Sequence, residues 1–181
     1  MAPDVDNIVN SYLMATDDIV ADGMTWYPRA RDFCLTLDEN LHKAAGIVAV
    51  ISANTAWNAN MTLARKAYQG DTRVGFMDKV RKVERIFAGE SPETVVSGQK
   101  VTSFFQCIIN PDANMPAVID RHAYDIAVNT YHGSARRDLG KKRYIAFQEC
   151  YATAADIVGL TIPQLQAITW VEWRNRNGIT V

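Results

Sequence analysis

Lys100 follows Gly98-Gln99 at the start of an apolar helical stretch, and Asp120 opens another one in Ile119-Asp120-Arg121-His122. A lysine in the first turn of a helix sits at the positive end of the macrodipole, which disfavours its ammonium form. Burial in a cleft acts in the same direction, and a neutral amine is a nucleophile able to form a Schiff base. A carboxylate at Asp120 can stabilise developing positive charge or activate water as a general base. Each residue also has a plainer reading. Asp120 suits an N-cap, whose side chain accepts from the first free N–H groups of a helix, and most lysines are simply exposed.

The elements that must position this pair are helical throughout, because no segment alternates as a strand. A first helix is expected from about Val5 to Ala21, closed by Asp22-Gly23. A second begins near Trp26-Tyr27-Pro28, where proline suits the first turn. Residues 44–51, Ala-Ala-Gly-Ile-Val-Ala-Val-Ile, are apolar all round and predict a buried central helix. Ser52-Ala53-Asn54-Thr55 interrupts it, and a helix over 56–68 follows. Residues 75–87 form a basic amphipathic helix with Val80, Val83 and Ile86 inward. A short helix starts at Ser91-Pro92 and breaks at Ser97-Gly98. Helices over 99–109, 120–131 and 142–158 come next, and a last one begins at Thr161-Ile162-Pro163, with Thr161 as a cap. The expectation is an all-α fold of about nine helices, read as a single domain over 1–181, with two small lobes around a cleft.

Composition narrows the function classes. With 181 residues, 48% hydrophobic and 22% charged, the chain is ordinary for a soluble globular protein. No apolar run approaches the roughly 20 residues needed to cross a bilayer. The acidic start, Met1-Ala2-Pro3-Asp4-Val5-Asp6, lacks the order of a signal peptide, so a cytoplasmic protein without a membrane partner is expected. Cys34, Cys107 and Cys150 are far apart and form no CxxC pair, and His42, His122 and His132 lack close pairing. Three reduced thiols, no metal and no cofactor are therefore expected.

Net charge is −1, but residues 1–50 carry eight acids against three bases, and residues 51–150 fourteen bases against ten acids. The densest patch, Arg136-Arg137-Asp138-Leu139-Gly140-Lys141-Lys142-Arg143, can meet phosphates. It reads equally well as a solvated loop between helices.

Two stretches carry a resemblance. The first is Val48-Ala49-Val50-Ile51-Ser52-Ala53-Asn54-Thr55-Ala56-Trp57. The second is Ser97-Gly98-Gln99-Lys100-Val101-Thr102-Ser103-Phe104, followed by Ala117-Val118-Ile119-Asp120-Arg121-His122-Ala123. In order and spacing they resemble the helix-hairpin-helix DNA glycosylase superfamily (endonuclease III-like). There a buried helix ends in a Leu-Ser-x-Gln/Asn segment near the target base. A Gly-x-Lys hairpin then precedes a Val-Asp-x-His block by about 20 residues. A narrower similarity, through Trp26-Tyr27-Pro28, Asn54 to Asn58, Gly98-Gln99-Lys100 and Ile119 to His122, points to compact phage and actinobacterial members.

The resemblance implies a helix-hairpin-helix glycosylase-like fold, DNA as partner, a monomer, and location in the cytoplasm (that of the host, for a phage-encoded protein). It implies a base flipped out of the duplex and an N-glycosidic bond cleaved, with Lys100 and Asp120 catalytic. Asn54, Trp57, Asn58, Gly98, Gln99 and His122 would then contact DNA or the base. Trp57 and His122 also fit structural roles, Trp57 in core packing and His122 in a hydrogen bond, and Asn54 fits a turn. The sequence departs from the family at Thr94-Val95-Val96-Ser97-Gly98, where the pattern is Leu-Pro-Gly-hydrophobic-Gly. Val96 replaces a glycine that lets backbone N–H groups approach a phosphate. That departure admits two other readings: a transferase that hypermodifies thymine or hydroxymethyluracil in DNA, and a catalytically inactive DNA-binding relative.

Overall fold

Eleven α-helices and no strand make up the residues that the computed structural model describes, 1–133 and 139–179. In chain order they are α1 (Val5–Leu13), α2 (Asp17–Met24), α3 (Trp26–Leu37), α4 (Leu41–Ile51), α5 (Trp57–Tyr68) and α6 (Met77–Phe87). α7 (Pro92–Val95), α8 (Gln99–Ile109), α9 (Arg121–Ala127), α10 (Lys141–Val158) and α11 (Ile162–Arg176) complete the set. The fold is all-α, as the periodicity predicts.

Where the helices differ from expectation, end chemistry explains it. The expected first helix is two, because Met14 closes α1 and Thr16 is extended at the start of α2. Asp17 and Asp18 then fall in the first turn of α2, where the macrodipole favours acids. The helix expected over 120–131 stops at Ala127, since Asn129 turns left-handed with φ 48°. Thr161 caps α11 as expected, in a reciprocal capping box with Gln164.

The chain divides into two compact units. One holds α1, α2, α9, α10 and α11, the other α4 to α8; the division falls within α3, after Tyr27.

In the first unit, Ile8, Ile126, Phe147, Tyr151 and Leu165 are fully buried, and the Tyr124 ring stacks on Phe147 with centroids 4.9 Å apart. One face of α10 fixes the approach to α9. The Ile119 N–H donates to the Tyr144 hydroxyl (3.0 Å), Gln148 Nε2 donates to the Ala117 carbonyl (3.0 Å), and the Tyr151 hydroxyl donates to the Ala123 carbonyl (3.2 Å). Residues 144, 148 and 151 share one helix face, so a single rigid element holds the strap on both sides of Asp120.

In the second unit α4 is the central rod. All eight residues from Ala44 to Ile51 are buried, as their composition predicts. Each large one among them is worth roughly 1.5–3 kcal/mol of burial. The Asn40 side chain accepts from the Lys43 N–H at its start (3.1 Å). α5, α6, α7 and α8 all pack on α4.

Close approach of helices makes one glycine indispensable. A Cβ at Gly23 in α2 would lie 2.5 Å from the Ile168 Cα of α11, a backbone atom that no rotamer change can move. Overpacking costs about 1–3 kcal/mol, against a helix-propensity gain of about 1 kcal/mol for alanine. Gly23→Ala is therefore expected to lower unfolding free energy by about 1–2 kcal/mol in urea titration. Wild-type stability in that variant would contradict the close crossing.

Candidate functional site

Asp120 belongs to the first unit and occupies the N-cap of α9 in an extended conformation. Its Oδ1 accepts from the His122 N–H at 2.9 Å and the Ala123 N–H at 2.8 Å. Its Oδ2 accepts from the indole Nε1–H of Trp170 at 3.0 Å. The capping role takes one oxygen and leaves the other to a side chain from α11. An ionised carboxylate accepts at about four sites; three are taken, and the residue remains partly exposed. The result is a negative charge held in one orientation.

The groups around it are aromatic and cationic. Trp170 contacts the His122 ring edge-on (6.1 Å) and the Trp26 ring edge-on (5.8 Å). The Arg174 guanidinium lies 4.3 Å from the centre of the Trp170 ring. Beside them the buried Tyr27 hydroxyl donates to Gln166 Oε1 at 2.7 Å.

His122 is buried, and Arg121 Nε donates to its Nε2 at 3.2 Å, which leaves the ring proton on Nδ1. No acceptor among the described residues lies within hydrogen-bonding distance of that nitrogen. Burial lowers the His122 pKa below its ordinary value, with the Arg121 and Arg174 charges acting in the same direction and Asp120 opposing. His122 is therefore a neutral ring against Trp170.

The remaining expected residues lie in the second unit. Gly98 opens α8 with φ 88°, a conformation that favours glycine, and it is exposed. Gln99 and Lys100, in the first turn, are partly buried. Val96, where the glycosylase pattern has glycine, has φ −63° and a buried side chain. Nothing in its backbone requires glycine.

Asn54 is exposed and left-handed, with φ 54°, in the turn between α4 and α5. Asn58 is exposed in the first turn of α5. Trp57 packs edge-on against Phe33 (5.8 Å) and Phe104 (6.4 Å), while part of its surface stays open.

Two residues were missed by sequence reasoning. Trp170 falls inside the last expected helix, and nothing local ties it to an aspartate 50 positions earlier. Lys79 reads as part of a basic exposed face. Yet α6 buries Lys79, Val83 and Ile86, and the expected inward residue Val80 is only half-buried. The spacing i, i+4, i+7 was the available signal.

The Lys79 amine donates to the Ile51 carbonyl and to Thr55 Oγ1, both at 2.9 Å. A cation at the C-terminal end of α4 is favourable, and the bonds tie down the turn that carries Asn54. Burial lowers the Lys79 pKa, and the charge of Lys100 adds to that. The amines of α6 and α8 are thus electrostatic neighbours.

A family model matches residues 2–177, nearly the whole chain. The protein belongs to the DUF7178 family. That family is described as one of unknown function. No curated protein and no solved structure matches the chain.

Other chemistries find less in this member of the DUF7178 family. Among the described residues no group of three or more His, Cys, Asp or Glu is arranged to hold a metal ion, and no helix is long and apolar enough to cross a membrane. All three cysteines are free and buried. Burial pushes the Cys34 thiol up to about 12 and the Cys150 thiol up to about 11, far from a reactive thiolate. In the basic patch, residues 134–138 lie outside the described residues, while Lys141, Lys142 and Arg143 are exposed in the first turn of α10.

His122 gives the site a pH dependence. Its folded pKa lies below the ordinary 6.5, so between those two values the unfolded chain binds more protons. Stability must then fall as pH drops from about 6.5 through the lowered value. Urea midpoints at pH 7.5 and pH 5 (roughly spanning this window) should differ more for the wild type than for His122→Gln. Equal differences would mean that His122 is not held neutral.

Proposed function

We propose that the protein is a DNA base-processing enzyme, an N-glycosylase that flips out a modified or damaged base and cleaves its glycosidic bond. The observation that carries this reading is Asp120, a partly exposed carboxylate held by three N–H donors at the start of α9. Departure of the base leaves positive charge on the sugar, and a carboxylate already oriented stabilises it without reorganisation.

Lys100 supplies the amine. Its nitrogen attacks C1′ of the sugar as the base leaves with the bonding electron pair, and ring opening gives an iminium. Lys79 lies close enough to Lys100 to feel its charge, so a second cation stands near the proposed nucleophile.

Contact with DNA is supported by three features. Gly98 keeps the left-handed turn that leads into α8. Asn54 stands exposed on its clamped turn. Lys141, Lys142 and Arg143 present cations in the first turn of α10. The protein would act as a monomer on duplex DNA.

A second reading rests on Val96, whose buried side chain occupies the place of a glycine in the hairpin. It is a transferase that attaches an amine to hydroxymethylated pyrimidines in DNA. Nucleoside mass spectrometry separates the two, because base removal leaves abasic sites and no new nucleoside.

Duplex oligonucleotides carrying damaged or modified bases, incubated with the protein and then with borohydride, test the first reading. Base release is expected, with a reduced adduct trapped on Lys100 and absent in Lys100→Ala. Asp120→Asn should slow single-turnover base release by about 100-fold or more. No base released from any substrate would end the glycosylase reading, and full activity in Asp120→Asn would remove Asp120 from the mechanism.

A further inference from the structure

Among the described residues, the Trp170 indole makes the one side-chain hydrogen bond to the Asp120 carboxylate, and it comes from α11 rather than from the helix that Asp120 caps. We infer that Trp170 is the positioning residue of Asp120, setting the orientation of its carboxylate for the reaction. The inference rests on the glycosylase reading for the reaction, but the contact itself does not.

The terminal torsion of an aspartate is broad, so a cap bond to one oxygen leaves the other free to swing. Here the two N–H bonds of the cap both fall on Oδ1. Only the indole N–H on Oδ2 stops the remaining rotation. Catalytic carboxylates lose rate steeply with small misplacement, so this second anchor matters more to chemistry than to capping.

Trp170 is built to act as a rigid anchor. Arg174, one turn later on α11, lies over its ring at 4.3 Å, and the rings of Trp26 and His122 meet it edge-on. The Arg174 guanidinium is itself buried and close enough to Asp120 to feel its charge. The indole is thus held by a guanidinium over its ring and by two rings edge-on, while its one donor points at the carboxylate.

Two variants separate this role from simple packing of α11. Trp170→Phe keeps an aromatic ring and removes the donor, at the cost of some ring volume. Asp120→Ser keeps a capping oxygen and removes the acceptor of the indole. In nitrogen-15 NMR spectra, the Trp170 indole resonance is expected to shift clearly in Asp120→Ser while the α9 amides keep their dispersion. Trp170→Phe should retain its melting temperature and its DNA affinity within about two-fold, yet release base about ten-fold more slowly in single turnover.

An indole resonance that stays in place in Asp120→Ser overturns the contact, whatever the activity. Wild-type rates in folded Trp170→Phe overturn the positioning role, as does a loss of rate that only follows a loss of folded protein. A wild type that releases no base, with the indole shift intact, defeats the glycosylase reading and the positioning role together and leaves the contact standing.

Discussion

The hydrogen bonds on Asp120 set the terms for the unit that contains it. A helix start leaves N–H groups that nothing within the helix can satisfy, and α9 begins where its first residues, from His122 to Ala127, are all buried. Water cannot serve those donors freely. The carboxylate does so with one oxygen and binds α11 with the other. α10 supports the arrangement from behind, because Tyr144, Gln148 and Tyr151 hold the backbone at Ile119, Ala117 and Ala123. A carboxylate placed this way is costly to lose and costly to move, which is what a pre-oriented charge requires.

The second unit solves a similar problem at the opposite end of a helix. α4 is buried from Ala44 to its end, so its last carbonyls also lie away from water. Ser52 returns its hydroxyl to the Ala49 carbonyl at 2.7 Å, and Lys79 brings an ammonium to Ile51. Burying that cation carries a desolvation cost, visible in its lowered pKa. The cost is offset by two hydrogen bonds and by the negative end of the helix dipole. A side effect is a fixed turn with Asn54 left-handed at its tip.

Much of this was legible from residues alone. An unbroken apolar octet announced the central helix, helical periodicity placed most of the others, and the Asp-x-His context singled out Asp120. What escaped shares one physical character: it depends on partners distant in the chain or on ends rather than middles. The break at Met14–Thr16 is decided by cap chemistry, which a window of apolar periodicity averages away. Lys79 was misjudged because charge is taken to mean exposure, although a long stem with a terminal donor suits a buried stripe that ends at a carbonyl. Trp170 escaped because its apolar bulk points to packing, although its one polar atom bonds a carboxylate 50 positions away.

Capping and chemistry at Asp120 look like rivals in the sequence, but a cap bonded through one oxygen leaves the second oxygen for another task. A serine or asparagine can cap a helix as well as aspartate; only a carboxylate offers a second oxygen to an indole donor while remaining an anion. The hairpin glycines separate in the same way. Gly98 stands at φ 88°, where any other residue is strained, whereas Val96 at φ −63° is free to be valine and gains a buried side chain. The backbone at 96 tolerates a side chain, whereas at 98 it favours none. The turn into α8 therefore survives the change, and with it the placement of Lys100 in the first turn of that helix.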